Sequence, residues 1–128
     1  MGVSLSLDES TLCIINSHFA SDQDKVKQRI QDYKTICSNM LFKHKEKVYN
    51  IFEHDAIFWA GDLNFRTNVK SLEEALELLN DNHLDFLLLK DQLLIEKMKG
   101  NIFKELEEGQ IKFWPTYKYI EGTNEFDL

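Results

Sequence analysis

The residues of this chain that most suggest chemistry lie in the short sequence Gly61-Asp62-Leu63-Asn64, which follows an apolar run. In an extended backbone, side chains two residues apart point the same way, so Asp62 and Asn64 would face one site. A carboxylate beside a carboxamide suits phosphoryl hydrolysis, because the carboxylate accepts a proton from water while the amide donates to a phosphoryl oxygen or helps to bind a hard cation. A strand-end turn without chemical role is the commoner use of such residues.

A second candidate group, Asn16-Ser17-His18, follows another apolar run. If the two runs are neighbouring strands, His18 lies near Asp62 and Asn64. An imidazole at that position could hydrogen-bond a phosphoryl oxygen or stabilise developing charge. The alternative is a loop histidine that satisfies its own hydrogen bonds.

A third group, Thr116-Tyr117-Lys118-Tyr119, alternates hydroxyls with an ammonium. Tyr117 and Lys118 together could grip a phosphate monoester, with the lysine as a point charge and the phenol as a donor. An edge strand with solvated ends fits the segment as well. Arg66 either supports the Asp62 loop or faces substrate, and the first role is favoured.

The other histidines and the large aromatic residues are predicted to have structural roles. We expect His44, His54 and His83 at the surface, Trp59 and Trp114 buried, and Phe19 at the rim of the site. No Cys-x-x-Cys or His-x-x-x-His spacing indicates a zinc site.

The elements that would position these residues follow from hydrophobic periodicity. Residues 3–7 and 11–15 predict a hairpin whose second strand is buried on both faces, and residues 56–60 predict another doubly buried strand. Ser21 or Asp22 could cap a helix that runs to about residue 40. Lys43–Lys47 is predicted to be a loop or a helix end, and Ile111–Phe113 a short strand. Further helices are predicted from Ser71-Leu72-Glu73-Glu74, which is a capping-box sequence, and over His83–Leu88 and Asp91–Lys99.

Composition and charge exclude several classes of protein. The chain has 128 residues, 43% hydrophobic and 29% charged, which predicts one soluble α/β domain without a membrane-spanning run. Its net charge of −7 disfavours non-specific binding to nucleic acid. Two cysteines do not form a disulfide framework, so a reducing, cytoplasmic location is expected.

Taken together and in this order, the three groups resemble one family. Phe58 to Arg66 is similar to the F/I-W-x-G-D-x-N-F/Y-R signature of the inositol polyphosphate 5-phosphatases. Asn16 to Ala20 resembles their N-S/C-H-L-A segment, and Pro115 to Tyr119 resembles their P-T-Y-K-Y segment. The type II branch, which includes the Lowe-syndrome phosphatase, is further suggested by three stretches: Gln31-Asp32-Tyr33-Lys34 with Ile36-Cys37, Asp91-Gln92-Leu93, and Glu108–Phe113.

The resemblance implies a fold, a reaction and residue roles. The fold is α/β, part of the two-sheet endonuclease/exonuclease/phosphatase sandwich flanked by helices. The reaction is Mg²⁺-dependent removal of the 5-phosphate from phosphoinositides, such as phosphatidylinositol 4,5-bisphosphate, or from soluble inositol polyphosphates. The catalytic residues would be His18, Asp62 and Asn64, and the substrate-binding residues Tyr117, Lys118, Arg66 and Asn16.

The family pattern also has parts without a counterpart here, among them the glutamate that binds magnesium. We therefore expect residues 1–128 to be a partial catalytic domain that lacks the N-terminal and C-terminal parts, holds no complete metal site and is nearly inactive alone. The expected protein is monomeric and peripheral to membranes through the lipid headgroup. The alternatives are an inositide-binding or interaction module, a nuclease of the same fold, and a chain without a stable fold.

Overall fold

The computed structural model describes residues 1–127, which form five strands, four α-helices and one short 3-10 helix. The strands are β1 (Gly2–Leu7), β2 (Ser10–His18), β3 (Leu41–His44), β4 (Lys47–Asn50) and β5 (Ala56–Asp62). The helices are α1 (Val26–Asn39), α2 (Leu72–Asn80), α3 (Leu84–Leu88) and α4 (Gln92–Met98), with the 3-10 helix at Ile51–Glu53.

The main sheet has three strands in the order β1-β2-β5. Strands β1 and β2 form the predicted antiparallel hairpin. Strand β5 lies parallel to β2, in a register that pairs Leu12 with Ala56 at one end and His18 with Asp62 at the other. The two apolar runs are therefore neighbours, and their carboxyl ends meet at one edge of the sheet.

The sheet packs on one face only, which corrects the expectation of doubly buried strands. Cys13 and Ile15 are fully buried on the packed face. The opposite face exposes a row of apolar side chains, which we call the apolar sheet face: Val3, Leu5, Leu7, Ile14 and Phe58. In β1, the serines and not the leucines point inward, since the Ser4 hydroxyl bonds to the buried His54 ring at 2.8 Å.

Two predicted segments have a different structure. Lys43–Lys47 is not a loop or a helix end but the turn region of an antiparallel hairpin, in which β3 pairs with β4. The sequence hides this hairpin because its strands have only four residues each and a cluster of charged residues surrounds its turn. Ile111–Phe113 forms no strand.

The helices confirm the predicted periodicity, with corrections at their ends. Helix α1 is capped neither by Ser21 nor by Asp22: Lys25 is its N-cap and makes no side-chain cap bond. Ser71 caps α2 as predicted, accepting from the backbone N–H of Glu74 at 3.3 Å. The Glu74 carboxylate completes no capping box, because it accepts instead from the Lys70 backbone and from the Lys90 ammonium, each at 2.7 Å.

Three single-residue predictions about burial are wrong. His54, expected at the surface, is buried. Its Nδ1 lies 3.0 Å from the carbonyl oxygens of Asn50 and Ile51, and these contacts hold the ring inside. Phe19, expected at the rim, is buried against Tyr33 and Phe103. Trp114, expected in the core, is 44% exposed.

No helix within residues 1–127 is long and apolar enough to cross a membrane.

Candidate active site

The parallel pairing of β2 and β5 brings His18 and Asp62 together. They are register partners at the ends of their strands, and 3.7 Å separates His18 Nε2 from Asp62 Oδ2. The Phe19 N–H donates to the Asp62 carbonyl at 3.0 Å, which continues the ladder past the last strand residues. Both side chains remain well exposed, so solvent and a ligand can reach them.

Gly61 allows this close approach of the two strands. Its φ of +129° is a conformation that side chains rarely adopt, and a Cβ atom there would lie 1.9 Å from the Ser17 carbonyl oxygen. Glycine is therefore required at the end of β5, next to Asp62.

The turn after Asp62 fixes the orientation of Asn64. The backbone N–H of Asn64 donates to Asp62 Oδ1 at 3.1 Å, and Asn64 has a φ of +55°. This geometry is a side-chain turn rather than the expected continued strand, because Asp and Asn can hydrogen-bond their local backbone and tolerate positive φ. Asn64 Nδ2 donates to the Phe19 carbonyl at 2.8 Å. This bond uses one of the two Nδ2 hydrogens, so the other can donate to a ligand.

Arg66 supports this turn and also faces the site. Its Nη2 donates to Asn64 Oδ1 at 3.2 Å. The arginine therefore has the favoured structural role, and it lines the same cleft as Asp62.

A cleft of about 610 Å³ opens beside these groups, a volume typical of small-ligand sites. Asp62, Asn64, Arg66 and Tyr117 all contribute to its wall, and Tyr117 is 80% exposed, with its side chain open to a ligand. The remaining lining residues are Gly61, Phe65, Thr67, Pro115 and Thr116. A proton acceptor, an amide donor, a guanidinium and a phenol thus surround one space.

Lys118 does not line this cleft. It lines an adjacent hollow that shares Thr67, Pro115 and Tyr117 with the cleft, and it forms an ion pair with Asp127. The hydrogen bond and charge of that carboxylate raise the pKa of Lys118. Lys118 therefore lies next to the cleft and not in its wall. His18 does not line the cleft either, and it approaches the site through its contact with Asp62.

Asn16 is also outside the cleft wall. It pairs with Ala60 on β5, two residues before the pair of His18 and Asp62. Its backbone carbonyl accepts from the Met1 amino group, and its N–H donates to the Met1 carbonyl. The structure therefore brings Asn16 near the site without directing it into the cleft.

Sequence reasoning missed two buried polar residues behind the site, Arg29 and Gln92. Arg29 lies in a helix rich in charged residues, where an arginine is expected at the surface, and Gln92 belongs to the Asp91-Gln92-Leu93 stretch. Gln92 is the first residue of α4, and no periodicity distinguishes a buried glutamine there from a solvated one.

The described residues do not form a complete site for a divalent cation. Mg²⁺ and Ca²⁺ prefer several oxygen ligands, whereas Asp62 is the sole carboxylate among the described residues that line the cleft. Within residues 1–127, no group of three or more His, Cys, Asp or Glu side chains could hold a metal ion. Asp62 could contribute its carboxylate, and Asn64 its side chain, to the binding of such an ion.

The chain belongs to the Endonuclease/Exonuclease/phosphatase family 2, whose sequence profile matches residues 1–128. Within that family, the relatives are inositol polyphosphate 5-phosphatases. Synaptojanin-2 of Homo sapiens is 37% identical over 127 residues, which are 99% of this chain and 8% of that protein. The type II inositol 1,4,5-trisphosphate 5-phosphatase of Mus musculus is 34% identical over 130 residues, 99% of this chain and 13% of that protein.

A phosphatidylinositol 4,5-bisphosphate 5-phosphatase A of Rattus norvegicus is 38% identical over 116 residues, 91% of this chain and 12% of that protein. Among solved structures, the inositol polyphosphate 5-phosphatase domain of SPsynaptojanin, in complex with inositol (1,4)-bisphosphate and a calcium ion, matches with a TM-score of 0.90. The identity is 32%, and the match covers 98% of this chain and 36% of that chain.

These comparisons confirm the predicted family and fold class. The chain spans about an eighth or less of the curated relatives described above. Because synaptojanins and the type II enzyme match at similar identity, placement in the type II branch stays a prediction.

Proposed function

We propose that this chain carries the phosphate-binding and proton-accepting part of an inositol polyphosphate 5-phosphatase active site. Its substrate would be a phosphoinositide such as phosphatidylinositol 4,5-bisphosphate, or a soluble inositol polyphosphate. The observation that carries the proposal is the approach of His18 to Asp62 at 3.7 Å beside the cleft. Relatives named as phosphatases of these compounds support it.

The proposed reaction is hydrolysis by direct attack of water. Asp62 accepts a proton from the water, whose oxygen forms a bond to phosphorus while the bond from phosphorus to the inositol 5-oxygen breaks. The inositol oxygen takes up a proton and inorganic phosphate leaves. Asn64 contacts the scissile phosphate through its second Nδ2 hydrogen, and His18 stabilises the phosphoryl oxygens as negative charge develops.

Tyr117 and Lys118 would hold the neighbouring 4-phosphate, for which Lys118 exchanges the Asp127 carboxylate for the phosphate. Arg66 supplies a further positive charge in the cleft, and Asn16 supports the substrate from the His18 side. A lipid substrate would bring the protein to the cytoplasmic surface of a membrane through its headgroup.

Mg²⁺ is the proposed cofactor. When bound, a divalent cation offsets phosphoryl charge, and the solved relative was crystallised with calcium. The described residues supply a single carboxylate to the cleft, too few ligands to hold the ion firmly, so slow turnover is expected.

Binding of inositol 1,4,5-trisphosphate to the full chain tests the proposal. In two-dimensional NMR spectra, we expect shifts at Asn64 and Tyr117 that weaken with inositol 1,4-bisphosphate, which lacks the 5-phosphate. With Mg²⁺ and a short-chain phosphatidylinositol 4,5-bisphosphate, release should be confined to the 5-position. Asp62→Asn should slow it roughly 100-fold or more, the usual contribution of a general base.

The matched control is Asp81→Asn, which neutralises an exposed aspartate at the end of α2 and should leave binding and release unchanged. Absence of any shift at the cleft would contradict the proposal. Cleavage of DNA without phosphate release would instead favour a nuclease of the same fold.

A further inference from the structure

We propose that Gln92 is a positioning residue that holds the Asn64–Arg66 turn and the segment after His18 in fixed relation. This inference rests on the proposed function, since it concerns how the same site is built. Gln92 is 4% exposed and lies at the start of α4, behind the cleft rather than in its wall.

All four hydrogen-bonding positions of the Gln92 carboxamide are occupied. Its Oε1 accepts from the Arg66 backbone N–H at 3.0 Å and from Arg29 Nη2 at 2.8 Å. Its Nε2 donates to the Gln23 carbonyl at 3.1 Å and to Asn68 Oδ1 at 2.9 Å. A carboxamide is the side-chain group that offers two acceptor and two donor positions at once.

One side of this network fixes the turn that follows β5. In addition to the side-chain bond, the Gln92 backbone N–H donates to the Arg66 carbonyl at 3.0 Å. Arg66 is therefore held to α4 through both its N–H and its C=O. From this fixed backbone, the Arg66 guanidinium reaches Asn64 Oδ1, which directs the Asn64 amide toward the cleft.

The other side of the network fixes the segment that follows β2. Arg29 is fully buried, and its Nη1 donates to the carbonyls of Ala20 at 3.0 Å and Asp22 at 2.7 Å. Its guanidinium lies 5.1 Å from the centre of the Phe65 ring. The segment after His18 and the turn after Asp62 thus meet at Gln92, although the two are separated by more than forty residues of sequence.

The chain containing Gln92→Met tests this role, because methionine keeps the length of the side chain and removes all four side-chain hydrogen bonds. Without ligand, the Arg66 amide should exchange with solvent at least about fivefold faster, and the Asn64 side-chain resonances should shift. Affinity for inositol 1,4,5-trisphosphate should fall about tenfold. Gln110→Met, at an exposed glutamine, is the control and should change neither.

Gln92→Glu separates positioning from a general loss of stability. It keeps the acceptor for Arg66 and loses both donors, so the Arg66 amide should stay protected while resonances of Gln23 and Asn68 move. Binding should recover part of what Gln92→Met loses. This variant also decides the matter if Gln92→Met does not fold.

Wild-type protection of Arg66 and unshifted Asn64 resonances in folded Gln92→Met would overturn the inference. So would equal changes at Arg66 in both Gln92 variants. If the unmodified chain binds no inositol phosphate, the proposed function fails, and the ligand-free spectra still decide whether Gln92 fixes the turn.

Discussion

Lys118 shows how one side chain can lie beside the site and already have a partner. The Asp127 carboxylate pairs with its ammonium, and the Asp127 N–H donates to the Lys118 carbonyl at 3.0 Å. The rings of Tyr119 and Phe126 stack at 4.6 Å and close the same small loop. A phosphate that binds Lys118 must therefore compete with a carboxylate held nearby.

We expect Asp127→Asn to lower the pKa of Lys118 toward its ordinary value of 10.5, because the paired carboxylate raises it. A raised lysine pKa stabilises the fold below the ordinary pKa, and this contribution is lost as the pH rises through the raised value. Affinity for inositol 1,4,5-trisphosphate should increase about two- to fivefold, the scale of an exposed ion pair.

The titration is followed by NMR of the Lys118 ammonium group and affinity by calorimetry. Glu121→Gln, at an exposed residue of the same loop, is the control and should leave both unchanged. Weaker binding by Asp127→Asn would show that the carboxylate assists the lysine rather than competing with the ligand.

At the scale of elements, the parallel contact between β2 and β5 is what assembles the site. Parallel pairing places the carboxyl ends of both strands at one edge, and the polar residues that follow each strand meet there. The contact tightens at its last pairs, where Ser17 faces Gly61. The indole of Trp59 secures the same region by donating to Ser17 Oγ at 2.9 Å.

Gly61→Ala should lower the free energy of unfolding by roughly 2–4 kcal/mol, from backbone strain and from overlap with the Ser17 carbonyl. The pair of His18 and Asp62 should also separate, which is visible as changed His18 ring resonances. Urea denaturation measures the first effect and NMR the second. Gly109→Ala is the control, because a Cβ atom there meets nothing within 4 Å; equal losses in both variants would contradict the argument.

At the scale of the whole molecule, the apolar sheet face stands out against a strongly acidic chain. Ile14 is 40% and Phe58 61% exposed on neighbouring strands. A contiguous apolar surface of this kind favours association with other surfaces. The net charge of −7 opposes that association by mutual repulsion, so salt should promote it.

Phe58→Ser should therefore reduce self-association at moderate salt and lower the fluorescence of a bound hydrophobic dye. Phe113→Ser removes a phenylalanine with nearly the same exposure, 62% against 61%, but from a segment outside the sheet. Sedimentation velocity at two salt concentrations measures the effect. A reduction as large in Phe113→Ser would show that total apolar exposure matters and the sheet face does not.

The amino-acid sequence was sufficient for the strands and helices with strong periodicity and for the residues that approach the cleft. Residues 11–15 and 56–60 predicted two strands, and the polar groups after them predicted that His18 lies near Asp62 and Asn64 if those strands are neighbours. These predictions succeed because periodicity and strand ends are local properties. The charged hairpin at Leu41–Asn50 escaped prediction because its pairing depends on a contact between strands and not on local composition.

Tertiary structure alone decided which faces are buried and which partners the polar groups have. The sequence could not tell that Ser4 points inward to His54, that Asp127 pairs with Lys118, or that Gln92 joins two loops. Each of these depends on a hydrogen bond or ion pair between segments that only the folded chain brings together. Side-chain type and spacing limit what a residue can bind, and the packing of distant segments determines what it does bind.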